Sequence, residues 1–280
     1  MDRLLGNTDT LSTLPDTAGR IGDLLECQRP AIDELLEIFN VDPTLTAKTL
    51  KVANRVFSPR SSRIDCISHA FKVIGDEVVY ELASSHRELN EQSAQNIACI
   101  DLERFWRQSL DTGLIAQELA KELDVPHYKR FYVAGLLLNL GELVCAEQQP
   151  ELAAKASIDN VSTTTLPWIK QKEIFNYTYA DLSRELMKRW NIPLSISEVI
   201  GFVHQSGDSD LAKSAKILYV ALLASLSIGD NRFPLQSTVT GFDLKAIGAS
   251  REQLEIAMES ANMEAFYAMS AMDPLSMVIL

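Results

Sequence analysis

Apolar residues recur at intervals of three and four along almost the whole chain, which is the pattern of helices burying one face. Leu14-Pro15-Asp16-Thr17 opens the first, with an apolar series through Ile21, Leu24 and Leu25. Pro30 starts a second, with Leu35, Leu36 and Phe39 on one side. Asp42-Pro43 is a strong start signal, because the aspartate can cap exposed amides and proline loses nothing at the first helical position. The helix it opens carries Leu45, Thr49, Val52 and Ala53 and ends before the loop Ser58-Pro59-Arg60-Ser61-Ser62. Asp65 is expected to cap the next, which closes at Gly75.

A long amphipathic helix is expected over 101–123, then one over 127–145 that is apolar around most of its circumference and so belongs at the centre of a bundle. Residues 159–164 read as a loop, and further helices are expected around 179–190, 195–204, 212–228 and 251–269. The polar run 88–93 suits a boundary between two lobes. Strands are not expected, and there is no repeat, low-complexity tract or glycine-rich phosphate loop.

Composition narrows the function. A net charge of −12 argues against nucleic acid as a partner, since such binding needs a basic surface to displace counterions. No apolar run reaches the length of a membrane span, and the best contender, 217–228, is broken by Tyr219, Ser225 and Ser227 and reads as a core helix. The N-terminus lacks a secretory apolar stretch, so a cytoplasmic location is expected. Cys27, Cys66, Cys99 and Cys145 are widely separated and form neither a metal nor a redox motif.

Several segments, in order, resemble the HDOD signalling family, whose domain is related to HD phosphohydrolases. Val41-Asp42-Pro43-Thr44-Leu45 with Leu50-Lys51-Val52-Ala53-Asn54 looks like its opening "DP.L" and "AN" stretch. Ile67 through Gly75 resembles its next helix, and Phe105-Trp106-Arg107-Gln108-Ser109-Leu110 resembles "FW.HSL". Ala134-Gly135-Leu136-Leu137-Leu138-Asn139-Leu140-Gly141-Glu142-Leu143-Val144 looks like "AGLLHDIGKLV". Thr178-Tyr179-Ala180-Asp181-Leu182-Ser183 resembles "THAEVG", and 200–204 resembles the closing "I..HH". The likeness covers about residues 11–206. It implies an all-α, HD-like helical bundle of two packed lobes: an N-terminal lobe over 1–97, an HD-like lobe over 98–206, and C-terminal helices over 207–280 packing on the same bundle.

The resemblance also locates what is missing. HD hydrolases hold divalent metals on histidines and aspartates from several helices, because phosphoester hydrolysis at neutral pH needs activated water and charge neutralisation. Here Gln108 stands where the first histidine is expected, Leu138 and Asn139 replace the His-Asp pair, and Tyr179 replaces the next histidine. Val203 leaves His204 alone at the terminal pair, and the last aspartate would fall near the apolar Leu222. No metal ligand set and no cofactor is therefore expected.

Three readings follow. The first is a non-catalytic bacterial-type regulator with a pseudo-active site, acting through protein–protein contact, with Arg60 and Arg63 in the 56–63 loop as a candidate contact. The resemblance implies other signalling proteins as partners, such as kinases or cyclic-dinucleotide enzymes. The second is a small-ligand, nucleotide-type sensor using the former metal pocket of Gln108, Leu138, Asn139, Tyr179 and His204. The third is a divergent metal-dependent phosphohydrolase. Trp106 and Trp190 flank motif positions, and packing is the favoured role for both.

Overall fold

The computed structural model describes residues 4–8, 11, 15–26, 32–56, 64–93, 99–158, 165–205 and 209–272. Among these, all regular structure is helical. After a 3₁₀ turn at Leu4–Asn7 come α1 (Pro15–Glu26), α2 (Ile32–Val41), α3 (Pro43–Val56), α4 (Ile67–Ile74) and α5 (Asp76–Ser93). Then follow α6 (Leu102–Glu122), α7 (Lys129–Leu137), α8 (Leu140–Gln148), α9 (Pro150–Ala156) and α10 (Pro167–Phe175). The last are α11 (Tyr179–Arg189), α12 (Leu194–Gly201), α13 (Asp210–Gly229), α14 (Leu235–Thr238), α15 (Gly241–Ile247) and α16 (Arg251–Met272).

The centre of the bundle is α6, which packs on α7, α13 and α16. Its approach to α7 depends on two glycines. A Cβ on Gly135 would fall 2.5 Å from Gly113 Cα, and one on Gly113 would fall 2.7 Å from the Tyr132 carbonyl oxygen. Only residues without side chains let the two backbones come this close. The N-terminal helices join this centre through α3 on α7 and α16 on α1 and α2. Two aromatic side chains tighten the joint: Trp106 Nε1 donates to the Val41 carbonyl at 2.9 Å, and the Tyr132 hydroxyl donates to the Asn40 carbonyl at 2.6 Å. Both carbonyls sit in the last turn of α2, where no intrahelical donor remains.

Asp42 caps α3 by accepting the Leu45 amide at 2.9 Å. At the other end of α3, Asn54 is half-buried. Its Nδ2 donates to the Leu50 and Ile64 carbonyls at 2.9 and 2.8 Å, and its Oδ1 accepts the Ile64 amide at 3.0 Å. Asp65 does not cap α4; Cys66 occupies that position and its side chain makes no cap. Gly75 closes α4 with φ 79°, a backbone state glycine adopts freely. The polar run 88–93 belongs to α5, so it is helix rather than a break, and the expected lobe boundary at residue 97 lies outside the described residues. The 159–164 loop also lies outside them.

The expected helix over 127–145 is two helices. Ser183 on α11 causes the break: its Oγ donates to the Leu138 carbonyl at 2.7 Å and accepts the Gly141 amide at 2.8 Å, taking both groups out of the helical ladder. By length and composition α13 could cross a membrane, but 67% of its apolar window is buried inside the fold, as a core helix would be.

Candidate functional site

Gln108 on α6, Asn139 in the α7–α8 turn, Tyr179 at the start of α11 and His204 just past α12 line one small cavity, with Leu222 of α13. Its volume is about 40 Å³, room for a few water molecules. Leu138 does not line it; the side chain is fully buried in the core while its carbonyl is held by Ser183.

Local sequence explains how these groups are held. Thr178 and Asp181 form a capping box: Thr178 Oγ1 accepts the Asp181 amide at 3.1 Å and Asp181 Oδ2 accepts the Thr178 amide at 2.8 Å. The next orphan amide, that of Tyr179, donates to Gln171 Oε1 of α10 at 2.9 Å. The start of α11 is thus fixed from both sides, and Tyr179 is delivered to the cavity. His204 is positioned by rings: it stacks on Trp168 with centroids 4.6 Å apart and planes 21° apart, while Tyr219 stands edge-on to both.

Two polar atoms of the lining residues, Tyr179 Oη and His204 Nδ1, are buried without a hydrogen-bond partner among the described residues. Burial, followed by the nearby Glu142 charge, pushes the Tyr179 phenol far above its ordinary value, so it stays protonated. Burial lowers His204 from 6.5 to about 4; the Asp181 charge opposes this and the Lys172 charge adds to it. The imidazole is neutral at pH 7.

As a metal site the lining offers one imidazole, one carboxylate from Glu142, the amides of Gln108, Asn139 and Gln171, and a protonated phenol. Among the described residues, no group of three or more His, Cys, Asp or Glu side chains could hold a metal ion. Catalytic transition-metal sites usually need three such ligands. This donor set does not fit the divalent centre of an HD hydrolase.

The HDOD domain description matches residues 11–206 of this chain. The chain belongs to the HDOD family. The crystal structure of the MmoQ response regulator from Methylococcus capsulatus is 21% identical with a TM-score of 0.71, over 89% of this chain and 98% of that one. An HDOD domain protein of unknown function from Geobacter sulfurreducens is 19% identical with a TM-score of 0.52, over 94% and 93%. An uncharacterized protein of Treponema pallidum is 27% identical over 213 residues, which are 70% of this chain and 40% of that protein. The chain therefore spans less than half the length of that relative.

Within the HDOD frame, Trp106 and Trp190 are buried packing residues; Trp106 holds α2, and the Lys51 ammonium lies 4.9 Å from the Trp190 ring centroid. Arg60 and Arg63 lie outside the described residues. The pattern reading missed α10, and with it Trp168 and Gln171. The signal was available in Leu166-Pro167-Trp168, where proline marks a first helical turn.

Proposed function

We propose that this chain is a non-catalytic HDOD regulator that acts through protein–protein contact, its metal site lost. The observation that carries the reading is the composition of the inner cavity. Gln108, Asn139, Tyr179 and His204 line it together, yet with Glu142 beside them they offer one neutral histidine and one carboxylate, too little charge to offset a divalent cation. The partners proposed are other signalling proteins, such as kinases or cyclic-dinucleotide enzymes, which the family resemblance suggests. A cytoplasmic site of action is part of the same reading and agrees with Cys66, Cys99 and Cys145 being free thiols.

The test has two arms. Metal analysis of protein purified without chelator should give far less than one equivalent of manganese, iron, zinc or nickel. Phosphodiester assays with added metal should give no activity that the Asn139→Ala, His204→Ala double variant removes. Stoichiometric metal, or such activity, would return the chain to the phosphohydrolases. A pull-down from native cytoplasm with identification of retained proteins then names the partner.

We do not place a nucleotide in the inner cavity, whose volume of about 40 Å³ is far below the range of ligand pockets, roughly 300–1,000 Å³.

A further inference from the structure

A second, larger cleft opens on the outer side of the Trp168–His204 pair. It has a volume of about 630 Å³ and is bounded by α10, α13 and α15. That falls inside the size range of small-molecule sites. Three rings form a continuous aromatic wall: Trp168 stacked on His204, with Tyr219 edge-on to each at centroid distances of 5.6 and 6.1 Å. Phe242 of α15 lines the same cleft and is 82% exposed. Such exposure leaves a large apolar surface in water that a flat ligand would cover.

Charge in the cleft differs from that of the chain as a whole. Lys172 and Lys216 both line it, as do the carboxylates Glu173 and Asp243. Both acids are engaged locally: Glu173 with Lys170 at 3.0 Å, and Asp243 in the capping box of α15, where its Oδ2 accepts from Thr240 at 2.6 Å. The Lys172 ammonium has no carboxylate partner among the described residues. A cation beside an aromatic wall suits a ligand that is planar and uncharged at one end and anionic at the other.

We propose that this cleft is a binding site for a nucleoside monophosphate, its base covered by the Trp168 and Phe242 rings and its phosphate met by Lys172. The site stands apart from the question of metal in the inner cavity, with which it shares only Trp168 and His204. Occupancy would bear on the pair of rings that closes that cavity, which gives the regulator a small-molecule input.

The test is equilibrium binding of AMP and of GMP to the full chain at fixed moderate salt, with adenosine, ribose 5-phosphate and inorganic phosphate as controls. We expect saturable binding of at least one nucleotide, with adenosine and ribose 5-phosphate each weaker by about tenfold or more, since each keeps only half of the recognition. Phe242→Ala should weaken binding about tenfold without affecting folding, because the side chain is so exposed. Lys172→Gln should weaken the nucleotides and leave adenosine unchanged. Trp168→Leu should abolish binding, and its folding is checked by circular dichroism. Absence of AMP and GMP binding up to millimolar concentration overturns the proposal, as does binding indifferent to Phe242→Ala and Lys172→Gln. Binding of phosphate as tight as that of the nucleotides would also overturn it, by leaving the aromatic wall without a role.

Discussion

Trp106 Nε1 donates to the carbonyl oxygen of Val41 across 2.9 Å and 65 residues of sequence, joining the middle of the bundle to the last turn of α2. The indole N–H replaces the donor that the end of a helix lacks, in surroundings where water does not reach. Trp106→Phe keeps most of the apolar area and removes the donor. It should cost about 1–3 kcal/mol, the range for leaving one buried acceptor unpaired. Denaturant unfolding reads this directly as a lower midpoint at unchanged slope; a midpoint equal to the native one would show that the bond contributes nothing.

Asn54 joins the end of α3 to Ile64 through two hydrogen bonds of opposite sense, plus a third to Leu50. Asn54→Leu strands the Ile64 amide and carbonyl and should destabilise the fold by about 1–3 kcal/mol. Asn54→Asp keeps the acceptor and loses the donor, so it should fall between native and leucine. Equal stability of all three proteins would remove this clasp from the account.

At the α6–α7 crossing, Gly135→Ala places a methyl group against the backbone of Gly113, which cannot swing aside as a side chain could. The expected cost is about 3 kcal/mol, at the upper end for overpacking. Gly6→Ala, where nothing lies within 4 Å of the added carbon, is the control and should be near neutral. Thermal melts of the two variants side by side decide it.

Two groups shielded from water, Asp42 and His204, titrate against each other in acid. His204 is lowered from 6.5 to about 4, so its contribution is present above pH 6.5 and lost as pH falls toward 4. Burial pushes the Asp42 carboxyl from 3.8 up to about 6; its contribution is full below pH 3.8 and lost as pH rises through 6. Each shift corresponds to roughly 3 kcal/mol, with opposite sign over the same window. His204→Phe, which keeps a ring against Trp168, should make the protein gain stability on acidification from pH 6.5 to 4. Asp42→Asn, which can still cap α3, should make it lose stability over that interval. Stability–pH curves for both variants that parallel the native curve would show that neither group is perturbed in the folded chain.

Sequence periodicity by itself determined that the chain is helical and where most helices lie, because an amphipathic stripe is a local property with a period of its own. It also located Asp42 as a cap and Gly75 as a stop, since both act within one helical turn. The ordered motifs carried the family and the positions to compare with metal ligands. Tertiary structure decided what local pattern could not encode. The helix expected over 127–145 breaks at Leu138–Asn139 because Ser183, distant in sequence, takes two of its backbone groups. The same is true of the site. Which of these positions meet, how little space they leave, and that Trp168 rather than Trp106 or Trp190 walls it all follow from how α13 packs on α6, α11 on α8 and α10 on α9. Those are distances between segments far apart along the chain, and a pattern read one helix at a time holds no information about them.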